Sequence, residues 1–159
     1  MRGLVIGDDD RVAAWAFATY NRVPSAIDAA VGVADSGGTL VGAILFQGFN
    51  GNDVQISYYG ERTLTVGIAR SIARIAVGFD VARATVVTDK NRRKYIRTLR
   101  RVGFETECVM RRYYGRTDGS RHAAMRLVMY RERIDQIAGV FKNNRVRSQS
   151  DALGTPARI

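Results

Sequence analysis

The chain has 159 residues, the length of one domain, and its 46% hydrophobic content is enough to bury a core without covalent staples. A single Cys108 and a single His122 exclude an internal disulfide and a Cys/His metal cluster, so no metal is expected and a reducing, cytoplasmic setting fits. The formal charge of +10 is concentrated: residues 1–89 balance at −2, whereas residues 90–133 carry fourteen basic and four acidic groups. Such a block reads either as an electrostatic footprint for a polyanion or as a solvated arginine-rich surface.

No window approaches a membrane span, and the first apolar run is too short for a signal peptide before Asp8, Asp9 and Asp10. Those acids precede Val12, Ala13, Ala16 and Tyr20 at helical spacing, which predicts a helix over about 9–20. Pro24 and Ser25 open a second, shorter helical candidate through Ala30, with a strand over 31–34. The Ser36-Gly37-Gly38 cluster turns the chain into a β-rich run from Leu40 to Gln47. A further turn at 50–53 leads to Val54–Tyr58, where polar and apolar residues alternate as in a half-buried strand.

From Leu64 to Val77, the residues Leu64, Ile68, Ile72, Ile75 and Ala76 recur at helical spacing. Ala84–Val87 reads as a buried strand, and Asn91–Arg101 as a helix with a Tyr95, Ile96, Leu99, Val102 stripe opposite a basic side. Residues 105–114 and 123–130 form a hairpin about Asp118-Gly119, and Ile134, Ile137, Ala138 and Phe141 allow a last helix. Beyond residue 142 periodicity stops, so a domain is expected over 1–142 and a flexible tail over 143–159. Strands and helices alternating in the middle, with antiparallel pairs at both ends, predict an α/β fold.

Helix starts present unpaired N–H groups and partial positive charge, so a turn of small residues lets a pyrophosphate approach the backbone. Thr65, Val66, Gly67, Ile68, Ala69 and Arg70 can supply those amides, with Gly67 as a packing glycine the competing reading. Together with the following apolar strand and the helix that runs from Asn91 to Val102-Gly103-Phe104, this order of elements resembles the core of the GCN5-related N-acetyltransferases (GNAT) over residues 8–131. The resemblance implies a mixed, mostly antiparallel sheet flanked by helices, and acetyl-CoA or another acyl-CoA as cosubstrate. It places the pyrophosphate at residues 65–70 and the cofactor arm at Asn91. The chain departs from the pattern in three places: Leu64 stands where the motif has a polar residue, Leu99 where it has the tyrosine acid, and Asn91 lies one residue further from Gly103.

Acyl transfer to an amine also needs a route for the amine proton. Asp53, or a water held by Ser57 with Tyr58 at the strand end, is the candidate base, with Asp53 as a turn residue the alternative; Tyr95 is the nearest substitute acid. His122 reads as a surface or substrate-lip histidine. Arg111, Arg112, Tyr113, Tyr114, Arg116 and Arg121 interleave aromatic and guanidinium groups, a pattern suited to bases and phosphates and equally to sheet packing. The segments around Trp15, Val41-Gly42-Ala43, Tyr58-Tyr59-Gly60 and Arg111–Gly115 are similar to small phage and prophage GNAT proteins, a group that includes Mom-like DNA-modifying enzymes. That likeness implies an amine on a nucleic acid base, with DNA as partner. A transferase for protein or small-molecule amines, and an inactive GNAT fold that binds nucleic acid, remain alternatives, and a homodimer stays open.

Overall fold

The computed structural model describes residues 3–60, 65–115 and 118–139. The elements run β1 (Gly3–Ile6), α1 (Asp9–Thr19), β2 (Ala29–Ala34), β3 (Leu40–Gln47), β4 (Asp53–Gly60), α2 (Val66–Gly78), β5 (Arg83–Asp89), α3 (Arg93–Val102), β6 (Glu105–Gly115), β7 (Arg121–Tyr130) and α4 (Arg131–Ala138). The seven strands form one sheet in the order β1-β2-β3-β4-β5-β7-β6. Neighbours are antiparallel except β4 and β5, which run parallel. The expected mixed, mostly antiparallel sheet flanked by helices is therefore the observed architecture.

Side-chain alternation divides the core into two layers. Val31, Ile44, Phe46, Val54 and Ile56 pack with α2, α3 and α4 on one face, while Ala30, Ala43 and Leu45 pack with Val12, Ala16 and Phe17 of α1 on the other. β2 and β3 are covered on both faces, which is why their sequences read as near-continuous apolar runs. Gly32 lets α1 lie close on β2, since a Cβ there would sit 2.7 Å from Leu40 Cδ2 and 3.0 Å from Val12 Cγ2. Gly103 closes α3 at φ +121°, where any Cβ would collide with the Arg133 side chain.

Two local expectations change, and one strand was not expected. The helix expected from Pro24 to Ala30 does not form, because its capping groups are used by a tertiary partner. Gln47 Nε2 donates to Ser25 Oγ at 2.8 Å and to the Ala26 carbonyl at 3.3 Å, while Ala29 and Ala30 join β2. Asn91 precedes α3 instead of opening it: its N–H donates to Asp89 Oδ1 at 2.8 Å, and the helix starts at Arg93. β1 was not signalled by residue order, since only four residues pair and both Leu4 and Ile6 stay exposed. Leu64, Phe141 and the 143–159 tail lie outside the described residues.

Candidate active site

The parallel pair gives the molecule its cleft. Only Asp53, Val54 and Gln55 of β4 are matched to Arg83, Ala84 and Thr85 of β5. Beyond them β4 stays with β3 as far as Gly60, and β5 stays with β7 as far as Asp89. Each strand follows its antiparallel neighbour, so the two part. The gap opens into a cleft of about 680 Å³ lined by Ser57, Tyr58, Thr88, Asp89, Tyr95 and Tyr113 among others. Arg22 and Arg92 also line it, and Asp89 is its sole carboxylate among the described residues.

Asp53 is elsewhere. Its carboxylate accepts from Thr85 Oγ1 at 2.8 Å and from Arg83 Nε at 3.1 Å, and its N–H donates to Asn50 Oδ1 at 2.9 Å. Arg83 reaches on to Glu107 at 2.8 Å, and the two acids hold its guanidinium pKa up, Asp53 contributing most. The residue expected as a base is thus a clamp at the closed end of the parallel pair, which corrects the sequence reading. The turn alternative caught half of it.

Ser57, Tyr58 and Tyr95 are brought together. Ser57 Oγ donates to Gln47 Oε1 at 3.3 Å. The Tyr58 and Tyr95 rings stack at 6.0 Å with planes 19° apart, and the Arg92 guanidinium sits 5.0 Å over the Tyr95 ring. Burial pushes the Tyr95 phenol well above its ordinary pKa, so it stays protonated and gives up its proton reluctantly. Leu99 is 2% exposed in the core, one turn below Tyr95 and turned away from any acid–base role.

The start of α2 at Val66 lies six residues after the end of β4 at Gly60, at most about 22 Å at extended length. Thr65 caps the helix: its hydroxyl accepts from Ile68 N–H at 3.2 Å, and its carbonyl from Ala69 N–H at 2.9 Å. Ile68 and Ala69 are therefore spent within the fold, and Arg70 lies in the next helical turn. The amides of Thr65, Val66 and Gly67 belong to the helix start that intrahelical bonding leaves open. No acid stands in this first turn. Among the described residues a Cβ at Gly67 would meet only Thr65 Oγ1, at 3.9 Å, so their packing does not demand a glycine. These features fit a pyrophosphate approached by backbone.

A second sign of a ligand is Thr88 Oγ1, buried on the cleft wall without a hydrogen-bond partner among the described residues. Nothing in residue order signals it. Asn91 turns its side-chain amide to His122, 3.1 Å from Nδ1, instead of standing free in the cleft.

On β6 the register slips between Met110 and Tyr114, where Arg111, Arg112 and Tyr113 oppose Ala123 alone. Arg112 takes φ +54°, a conformation a non-glycine residue adopts only under constraint. Bulges of this kind re-aim side chains, and here Tyr113 lines the cleft while Arg111, Arg112 and Arg121 are exposed. Tyr114 is paired through its backbone with His122, and Arg116 lies outside the described residues.

Solved structures share this fold. The Streptococcus pneumoniae acetyltransferase of the GNAT family superposes with a TM-score of 0.60 at 10% identity, over 82% of this chain and 99% of its own. The fold is that of the GNAT acetyltransferases. The Salmonella typhimurium protein yncA, solved with its cofactor acetyl-CoA, matches the GNAT-fold chain at 0.61 and 13% identity, over 81% and 93%. Spermidine/spermine N-acetyltransferase SpeG of Vibrio cholerae matches at 0.55 and 13%, over 68% and 67%. No protein-family model matches the chain, and no curated protein matches it in sequence. Among the described residues no helix is long and apolar enough to cross a membrane, and no group of His, Cys, Asp or Glu could hold a metal ion.

Proposed function

We propose that the protein is an N-acyltransferase that moves an acyl group, acetyl foremost, from acyl-CoA to an amine held between β4 and β5. The observation that carries this reading is the parallel pair that opens after three residues into a cleft, followed in the chain by an acid-free helix start with space at Gly67. The amides of Thr65, Val66 and Gly67 would hold the pyrophosphate. Acyl-CoA supplies the activated thioester. The chain's own residues orient the acceptor through Tyr58 and Tyr113, shield the bond from water, and leave the thiolate to depart without a strong acid, since Leu99 is buried and Tyr95 holds its proton.

A ligand that binds only the native state stabilises it by RT ln(1 + [L]/Kd), roughly 2.7 kcal/mol at a hundredfold excess. Acetyl-CoA is expected to raise the melting temperature, and Gly67→Val to abolish the rise while the fold persists. A Gly67→Val protein that keeps the full rise would move the cofactor away from α2.

For the acceptor, we infer an amine on a nucleic acid base. What supports it is Arg92, which lines the cleft over Tyr95, and a bulge in which exposed Arg111 and Arg112 precede Tyr113 on the cleft wall. Guanidinium groups would take phosphates while an aromatic face takes the base. Nucleoside mass spectrometry of DNA incubated with the protein and acetyl-CoA tests this. Acylated protein or polyamine with unmodified DNA would replace it by the ordinary amine acceptor.

A further inference from the structure

We propose that Ser57 holds the acceptor by accepting a hydrogen bond from one N–H of its amine, and that Gln47 fixes the serine in that polarity; the proposal rests on the acyltransferase reading. The polarity is set outside the cleft, at the Ala26 carbonyl, which can only accept. Gln47 Nε2 lies 3.3 Å from that oxygen and 2.8 Å from Ser25 Oγ, so the amide NH2 faces the 25–26 segment and Oε1 faces away from it. A carbonyl oxygen has no proton to give. Ser57 Oγ, 3.3 Å from Gln47 Oε1, is therefore the donor of that pair, which leaves its lone pairs over. Among the described residues no group donates to them.

The sheet turns Ser57 away from the cofactor's helix. Ile56 packs in the layer with α2, and alternation along β4 sends Ser57 to the opposite face, where its register partner Leu45 packs with α1. Ser57 lies beyond the three residues matched to β5, and it lines the cleft together with Ser25 and Gln47. Acyl-CoA and acceptor thus approach from opposite faces and meet through the gap between the strands. The arrangement suits a primary amine. With the serine proton committed to Gln47, no O–H occupies the amine's lone pair, which stays free for the thioester carbonyl carbon. As the N–C bond forms, the C–S bond breaks with its electron pair going to sulfur. The N–H held by Ser57 remains on the amide product, and the other proton leaves to the water of the open cleft. A secondary amine has only the proton that must leave, so its bond to Ser57 is lost along the reaction. The exocyclic amino groups of nucleic acid bases are of the primary, uncharged kind.

The test uses the full chain, with acetyl-CoA affinity measured by calorimetry and thiol release followed at saturating acetyl-CoA. The acceptors are duplex DNA, the same DNA methylated on its exocyclic amino groups, spermidine, and spermidine methylated on its terminal nitrogens. Ser57→Ala should bind acetyl-CoA as the parent does and lose about tenfold in kcat/KM toward the primary amine, the scale of one hydrogen bond. Its preference for the unmethylated acceptor should shrink with it. Ser57→Thr, which keeps the hydroxyl, should restore most of both, and Gln47→Met should lose part of the preference. A Ser57→Ala protein with the parent's kcat/KM overturns the proposal. So does one that loses equally toward the methylated and unmethylated acceptors, as a merely structural serine would. Full parental preference in Gln47→Met overturns the part given to Gln47. A parent that binds acetyl-CoA yet acylates none of the four acceptors also overturns the proposal, since there is then no amine to hold. A parent that fails to bind acetyl-CoA instead sinks the acyltransferase reading beneath it.

Discussion

The two ends of the β4–β5 pair are built on opposite terms. At the closed end the strands are in register, and Asp53 meets Thr85, Arg83 and the Asn50 turn. At the open end Thr88 Oγ1 is buried without a partner among the described residues, the Tyr95 phenol is pushed up by burial, and Arg112 on the neighbouring hairpin is held at positive φ. Buried polar groups are costly when unmet, and strained backbone persists only where the surroundings enforce it. The closed end therefore contributes stability and sets the splay, while the open end gives stability up where a ligand is expected to enter.

The comparison can be broken most visibly by charge. If Arg111 and Arg112 serve the open end by holding phosphates, Arg111→Glu with Arg112→Glu should abolish measurable duplex binding at moderate salt. It should also flatten the dependence of log K on log salt by roughly 0.9 for each phosphate no longer neutralised. Electrophoretic titration at several salt concentrations checks this, and an unchanged slope would detach the bulge from nucleic acid.

Next in size is the clamp. Asp53→Ala leaves Arg83 and Thr85 without their shared partner, and should cost about 2 kcal/mol in urea unfolding. A change below about 0.5 kcal/mol, on the order of an ordinary surface substitution, would mean the closed end does not need it.

Smaller and opposite in sign is Thr88→Val, which removes a buried hydroxyl without a partner. It should stabilise by about 1 kcal/mol, raising Tm by roughly 2–4 °C, while slowing transfer. Loss of stability would show that the hydroxyl is already satisfied in solution.

The smallest expected effect is at Tyr95. Tyr95→Phe should keep most of the turnover, because a phenol held so firmly protonated is a poor acid; a hundredfold loss at unchanged acyl-CoA affinity would make Tyr95 the proton donor. The same burial has a stability consequence. With the folded phenol raised, the unfolded chain ionises first as pH climbs past about 10, so the native state loses stability there. Tyr95→Phe should remove that part of the alkaline loss.

Much of this layout was readable from residue order, and the failures share a cause. α1, β3, β4 and the β6–β7 hairpin follow from periodicity and turn residues, because their signals are local. The Pro24–Ala30 segment carried a local helix signal that Gln47, on a strand about twenty residues away, overrode. Asp53 looked like a turn residue or a base because Arg83 and Thr85 meet it only through the parallel pairing. Asp89 and His122 likewise stand far apart along the chain, and only the β5–β7 register joins them. The helix start at Gly67 was legible, although its capping by Thr65 and the resulting shift of open amides toward residues 65–67 were not.

The central claim is that the acid-free start of α2 and the open end of β4–β5 form one acyl-CoA site. Thermal denaturation with and without saturating acetyl-CoA, run on the parent and on Gly67→Val, tests it most directly. The parent should show a clear upward shift and Gly67→Val none, and the melting temperature of Gly67→Val without ligand should match or exceed the parent's, since valine suits a helix better than glycine. No shift in the parent with acetyl-CoA or any longer acyl-CoA would contradict it.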